Sequence, residues 1–92
     1  MGVDLILTTA ARKRIAVQAK GYPSGTRVGI KAIQEAHMGA DLFRCHAASV
    51  ITNSRFTKPA VNATQKLIAS GHDIRLIDVV GLGGLMAGHT QL

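Results

Sequence analysis

The sequence predicts one small α/β domain in which helices flank a single mixed β-sheet. Its 92 residues suffice for one domain. Short apolar runs in the sequence alternate with segments of helical periodicity, in the order strand, strand, helix, strand, helix, strand. Two strands joined by a tight turn lie antiparallel, whereas a helical crossover returns the chain parallel to the preceding strand. We therefore expect an antiparallel first pair and parallel pairing wherever a helix intervenes.

Two β-type runs open the chain, at residues 3–9 and 14–20, with a basic turn between them. Side chains alternate between the two faces of a strand, so Gln18 and Lys20 share one face of the second run, opposite Ile15 and Val17. If the two runs pair as a hairpin, Asp4 is carried to the edge that holds Gln18 and Lys20.

An amphipathic helix is predicted from residue 28 to about residue 40. Its apolar side has the spacing i, i+3, i+7, with Ile30, Ile33 and His37. The exposed side carries Lys31, Gln34 and Glu35. Gly39 is expected to weaken the end of this helix.

The second half of the chain is predicted as strand, helix, strand. Residues 47–52 are mostly apolar, as in a strand buried on both faces. Thr57 is a suitable cap for a second helix, Pro59 is tolerated in its first turn, and Gly71 can end it. Its predicted inner face consists of Ala60, Ala63, Thr64, Leu67 and Ile68. Residues 74–77 are the last strand, so the domain spans 1–78, and 79–92 form a glycine-rich tail or a short helix.

Charge and cysteine content narrow the function classes. The net charge is +6, and six cations and no acid lie between Leu5 and Gln34. Such a field attracts polyanions and favours nucleic acid over the alternative of a merely solubilising surface. Cys45 is the sole cysteine, which excludes an intramolecular disulfide and fits a reducing cytoplasm. No apolar run is long enough to span a membrane.

Asp4, Gln18 and Lys20 form the candidate site. A carboxylate and an amide oxygen can hold a hard divalent cation, and a nearby ammonium can stabilise charge on a phosphate under attack. A bound divalent cation and a nearby ammonium are the groups that phosphodiester hydrolysis needs. The same spacing also arises by chance, and an ordinary solvent-facing strand edge is the alternative.

Further segments strengthen the hydrolytic interpretation. The segments 2–7, 14–20, 28–35, 49–60 and 74–78 together resemble, in order and spacing, the catalytic domain of the Mrr-type restriction endonucleases of the PD-(D/E)xK superfamily. The turn TNSRFT at residues 52–57 is close to a signature of that family.

The resemblance implies a DNA endonuclease that uses Mg²⁺ or Mn²⁺. Asp4 and Gln18 would bind the metal, with Gln18 standing where the superfamily has Glu, and Lys20 would be the catalytic lysine. The resemblance also implies residues that flank the site or steady the DNA backbone: Lys31, Gln34, Thr52, Ser54 and Thr57. From their charge, and from the placement of the basic turn beside the proposed site, we further expect Arg12, Lys13, Arg14 and Arg55 to bind DNA.

The resemblance also implies a shortened domain, because the family normally has a helix and a strand before the segment that contains Asp4. We expect one bare sheet face, covered in a homodimer or higher homo-oligomer. The alternative function is a non-catalytic DNA-binding or oligomeric remnant, such as mobile-element cargo.

A zinc site is a weaker alternative, since His37, Cys45 and His46 lack the paired spacing of zinc ligands. The glycine-rich residues 81–86 do not match the dinucleotide-binding fingerprint.

Overall fold

The predicted mixed α/β architecture is confirmed by a computed structural model, which describes residues 3–21, 23 and 25–86. The elements are β1 Leu5–Thr8, β2 Arg14–Lys20, α1 Ile30–Leu42, β3 Ala47–Thr52, α2 Lys58–Ala69, β4 Ile74–Ile77 and α3 Val79–Met86. The four strands form one sheet in the order β1-β2-β3-β4. The first pair is antiparallel and the other two are parallel.

The hairpin of β1 and β2 has the register that places Leu5 opposite Val17. In its turn, the Arg12 N–H donates to the Thr9 carbonyl (2.8 Å), and Arg12 has a φ of 63°. β1 is shorter than the predicted 3–9, because Asp4 leaves the regular ladder and its N–H donates to the Val17 carbonyl (2.9 Å).

The main core lies between one face of the sheet and the helices α1 and α2. Small residues dominate it, which lets the helices approach the sheet closely and compensates for the scarcity of aromatic residues. Its buried members, all at most 7% exposed, are Ala16, Ala48, Val50 and Ile74 from the strands and Ile33, Ala36, Ala40 and Ala60 from the helices.

The buried face of α1 is rotated from the predicted one. Ile30 was expected inside but is 41% exposed, whereas Ala32, Ile33 and Ala36 are buried. Gly39 does not end the helix, which continues to Leu42, and its backbone is buried. Packing of the helix against the core offsets the poor helix propensity of a glycine at this position.

The caps of α2 are those predicted from the sequence. The Thr57 hydroxyl oxygen accepts a hydrogen bond from the Ala60 N–H (3.2 Å), and Pro59 lies in the first turn. Gly71 follows the helix with a φ of 95°, the left-handed conformation that glycine adopts easily. The predicted inner position of Ile68 is wrong, since this side chain is 51% exposed.

The second face of the sheet was expected to be bare, and this is only partly correct. Ile15, Val17 and Ala47 form a buried cluster on that face. Leu5 and Leu7, their neighbours on β1, are 47% and 37% exposed.

The sequence predicted either a glycine-rich tail or a short helix after residue 78, and helix α3 lies in this segment. Residues 87–92 lie outside the described residues. It approaches β4 closely, since a Cβ at Gly81 would lie 3.2 Å from Ile77 Cγ2. No helix in the described part of the chain is long and apolar enough to cross a membrane.

Candidate functional site

Three side chains converge at the carboxyl end of β2. Gln18 and Lys20 lie on the face of β2 that packs under α1, and the first half of α1 brings Glu35 over them. Gln18 Nε2 lies 3.4 Å from Glu35 Oε2, and Lys20 Nζ lies 3.7 Å from the same oxygen. An amide, an ammonium and a carboxylate therefore share one small volume.

Glu35 is the site residue that the sequence interpretation missed, since it was assigned to the exposed side of the helix. Its side chain is only 33% exposed and faces β2. Glu35 lies three residues after Ala32 and four before Gly39, and the structure buries both of these small residues. Helical neighbours at these spacings lie on the same side.

Asp4 is anchored beside this group through the backbone. Its Oδ2 accepts a hydrogen bond from the N–H of Ala19, the residue between Gln18 and Lys20, at 2.7 Å. Just beyond the end of the β1 ladder, the Asp4 carboxylate accepts a hydrogen bond of the kind that a main-chain carbonyl accepts within the ladder. Asp4 is thus held at the level of β2 that carries the other two predicted residues.

Gln18 has an unsatisfied oxygen. The residue is 3% exposed, and its buried Oε1 has no hydrogen-bond partner in the described part of the chain. An unpaired buried acceptor costs about 1–3 kcal/mol, so a bound cation or water at this oxygen is favoured.

The donor set fits a hard divalent cation. Asp4, Glu35 and Gln18 supply oxygens, and Mg²⁺ is typically bound by one or two carboxylates together with waters and substrate phosphates. No group of three or more His, Cys, Asp or Glu side chains with metal-binding geometry occurs among the described residues. A bound ion would therefore depend on the amide oxygen and on the substrate.

The loop after β3 reaches the same end of the sheet, because Lys20 lies opposite Thr52 in the β2–β3 register. Its hydroxyl groups are engaged within the fold. Thr52 Oγ1 accepts from the Ser54 N–H (3.1 Å), the Ser54 hydroxyl donates to the Thr26 carbonyl, and Thr57 caps α2. Arg55, in contrast, is exposed.

Lys31 and Gln34 also lie at this end, on the solvent side of α1, and both are exposed. Lys31 precedes Glu35 by about one helical turn.

The basic turn lies elsewhere. Arg14 begins β2 and Lys20 ends it, a separation of about 20 Å for an extended strand. Lys13 Nζ forms an ion pair with Asp73 Oδ2 (2.6 Å), and Arg14 Nη2 donates to the Phe43 carbonyl (3.1 Å). The expectation that the cluster Arg12–Arg14 lies beside the candidate site is therefore wrong, because a strand separates them.

The histidines named for a zinc site are engaged in other contacts. The His37 ring packs edge-on against His72, with centroids 4.4 Å apart. His46 Nδ1 accepts a hydrogen bond from the Arg14 N–H (2.9 Å).

Comparison with known protein families matches residues 1–86 to a family model described as a restriction endonuclease, Mrr_cat. The chain belongs to the Mrr_cat restriction endonuclease family. The resemblance noted from the sequence is thereby confirmed, and the chain is a restriction endonuclease-like nuclease domain. Members of this class act on DNA and generally use divalent metals.

Among solved structures, the Mrr_cat chain is similar to the DNA modification-dependent restriction endonuclease AspBHI. The TM-score is 0.63 at 20% sequence identity, and the match covers 91% of this chain and 21% of that chain. This likeness confirms the fold, and the chain spans about a fifth of the length of that protein. Comparison with curated proteins gives no match.

Proposed function

We propose that this Mrr_cat domain is an endonuclease that hydrolyses DNA phosphodiester bonds with Mg²⁺ or Mn²⁺. The observation that carries the proposal is the convergence of Gln18 and Lys20 on one oxygen of Glu35. The Asp4 carboxylate is fixed to the backbone between them. The family membership supports DNA as the substrate.

The residues that would hold the cation are Asp4, Gln18 and Glu35. The Ala19 N–H binds Asp4 Oδ2, and Gln18 Oε1 has no hydrogen-bond partner among the described residues. Two carboxylates against one ammonium leave the site net negative, which favours a cation there. When bound, such an ion polarises the phosphate and lowers the pKa of water.

Lys20 is the residue proposed to act on the substrate. Its side chain is 27% exposed, so the ammonium can still reach a phosphate at the surface. There it would orient the attacking water or stabilise the negative charge that develops on the phosphate oxygens. Glu35 keeps the ammonium at the site by pairing with it.

DNA binding is proposed at the end of the sheet that holds this site. Lys31, Gln34 and Arg55 are exposed there, and they would contact the backbone near the hydrolysed phosphate. Thr52, Ser54 and Thr57 would support that surface through the loop bonds they form. The cluster Arg12–Arg14 would be a distal contact, about 20 Å away along β2.

The test is plasmid degradation with Mg²⁺ or Mn²⁺, comparing the natural chain with Lys20→Ala. We expect cleavage to fall by a factor of about 100 or more, since the ammonium acts on charge that develops in the transition state. Lys66→Ala, at the far end of α2, removes the same charge and should cut normally. Metal-dependent cleavage that persists in Lys20→Ala contradicts the proposal.

A second candidate is a non-catalytic DNA-binding domain of the same fold. The absence of three clustered metal-binding His, Cys, Asp or Glu side chains in the described part of the chain favours it. It predicts salt-sensitive DNA binding without cleavage, and binding that Asp4→Ala leaves unchanged.

A further inference from the structure

Two arginines, Arg27 and Arg55, lie side by side where the loops before α1 and α2 meet. Val28 and Phe56 form a parallel β-bridge there. The Val28 N–H donates to the Arg55 carbonyl (2.8 Å), and the Thr57 N–H donates to the Val28 carbonyl (2.9 Å). Because each arginine immediately precedes a bridge partner, their Cα atoms are neighbours, about 5 Å apart.

The backbone that carries the two arginines is firmly held. Val28 is completely buried, and Phe56 packs against the main core. The Ser54 hydroxyl joins the two loops through the Thr26 carbonyl. Both arginine side chains are nevertheless exposed, so charge is presented to solvent from a rigid base.

The two guanidinium groups have no anionic partner among the described residues. They line two clefts, of about 490 and 370 Å³. Asp78 lines the smaller cleft, but its Oδ1 accepts hydrogen bonds from the Val80 and Gly81 N–H groups at the start of α3. Adjacent like charges repel, so an anion bound between the arginines is favoured.

The clefts lie near the candidate site. Lys20 lies opposite Thr52, and Arg55 follows Thr52 by three residues, or at most about 10 Å of extended chain. Phosphates recur about every 3.4 Å of helix axis along one DNA strand. A strand with one phosphate at Lys20 can therefore present another, a few nucleotides away, to the arginines.

The geometry points to a phosphate clamp, formed by Arg27 and Arg55, that binds a backbone phosphate flanking the one hydrolysed at Lys20. For its ligand the inference rests on the proposed function. Planar guanidinium groups bind phosphate oxygens in a bidentate manner that lysine cannot reproduce. Such a contact carries no base specificity, but it sets the register of the strand at the site.

The test is binding of a short fluorescent duplex DNA, measured by anisotropy in EDTA over a series of salt concentrations. For the double variant Arg27→Ala/Arg55→Ala, we expect about tenfold weaker binding and a salt slope lower by about one. Arg27→Lys/Arg55→Lys keeps both charges, so it should retain the slope and still bind more weakly. The control Lys66→Ala should bind within about twofold of the natural chain.

Unchanged affinity and slope in the double alanine variant would overturn the clamp. So would an equal loss in Lys66→Ala, or lysine variants that bind as tightly as the natural chain. The clamp and the proposed hydrolysis can fail separately. If the double alanine variant binds DNA more weakly but cleavage does not depend on Lys20, only the proposed hydrolysis is contradicted. If cleavage depends on Lys20 but the double alanine variant binds DNA normally, only the clamp is contradicted.

Discussion

Glu35 links the two site residues of β2 through a single carboxylate oxygen. It pairs with the ammonium of Lys20 and also lies within reach of the Gln18 amide. This arrangement places a carboxylate from α1 beside a strand position at which this chain has only an amide. At the scale of single residues, the proposed chemistry of the site therefore depends on one helical side chain as much as on the strand.

Replacing Glu35 should impair both proposed roles of its carboxylate. We expect Glu35→Gln to raise the Mg²⁺ concentration needed for half-maximal cleavage and to slow cleavage about tenfold or more. The reason is that the substitution removes one negative charge, which serves both as a proposed metal ligand and as the partner of Lys20. Asp41→Asn, an exposed acid at the other end of the same helix, is the matched control. Equal Mg²⁺ requirements for Glu35→Gln and the control would exclude Glu35 from the metal site.

Replacing Gln18 by glutamate tests the same site without an activity readout. The new carboxylate would lie buried beside Glu35, and the repulsion should lower the free energy of unfolding. In EDTA the melting temperature should fall by about 4–8 °C for each kcal/mol of unfolding free energy that is lost. Added Mg²⁺ should restore more stability to Gln18→Glu than to the natural chain, since the ion neutralises the pair. If Mg²⁺ raises the melting temperature of both proteins equally, no cation binds between these positions.

At the scale of elements, strand β2 separates two groups of residues that lie close together in the sequence, one proposed for DNA binding and the other for hydrolysis. Its amino end carries the basic turn and its carboxyl end carries Gln18 and Lys20. Helix α1 runs back along it, so the start of the helix lies over the site and its end lies near Arg14. Cations at the two ends of β2 are thus expected to contact different parts of a bound duplex.

The cap of α2 allows a quantitative prediction at this scale. Thr57→Ala removes the acceptor of the Ala60 N–H and should lower the free energy of unfolding by about 1 kcal/mol. Thr57→Ser keeps the hydroxyl and should be nearly neutral. Urea unfolding of both variants, followed by circular dichroism, measures the difference. Equal stability of the two variants would show that the hydroxyl does not cap the helix.

At the scale of the whole molecule, the two faces of the sheet are covered unequally. Helices α1 and α2 bury one face, and α3 approaches the other beside Ile77. Leu5 and Leu7 remain exposed on the edge strand β1. An apolar edge strand is a common site of association, and we propose that the chain forms a homodimer or higher homo-oligomer there.

Charged residues on this edge should disrupt that assembly. We expect the natural chain to elute as a discrete oligomer in size-exclusion chromatography with light scattering. Leu5→Lys/Leu7→Lys should shift it toward the monomer, because lysine on an edge strand opposes pairing. Met38→Lys, an equally apolar exposed position on α1, is the control. A monomeric natural chain would contradict the proposed association.

Local pattern was sufficient for much of this fold. The hairpin, strand β3, the Thr57 cap and the Gly71 terminus follow from side-chain alternation, turn chemistry and backbone preferences within a few residues of each position. The opposite faces of Gln18 and Val17 follow from the same alternation, and the family resemblance rests on the order of such segments.

Three features required the assembled fold: the inward direction of Glu35, the distance between the basic turn and Lys20, and the pairing of Arg27 with Arg55. Glu35 lies at the boundary of the apolar side of α1. A small rotation of this helix against the sheet therefore decides whether the Glu35 side chain faces solvent or the candidate site. The arginines lie 28 residues apart in the sequence and become neighbours only when two loops meet over a buried valine. Periodicity describes one element at a time, whereas these features depend on how separate elements pack together.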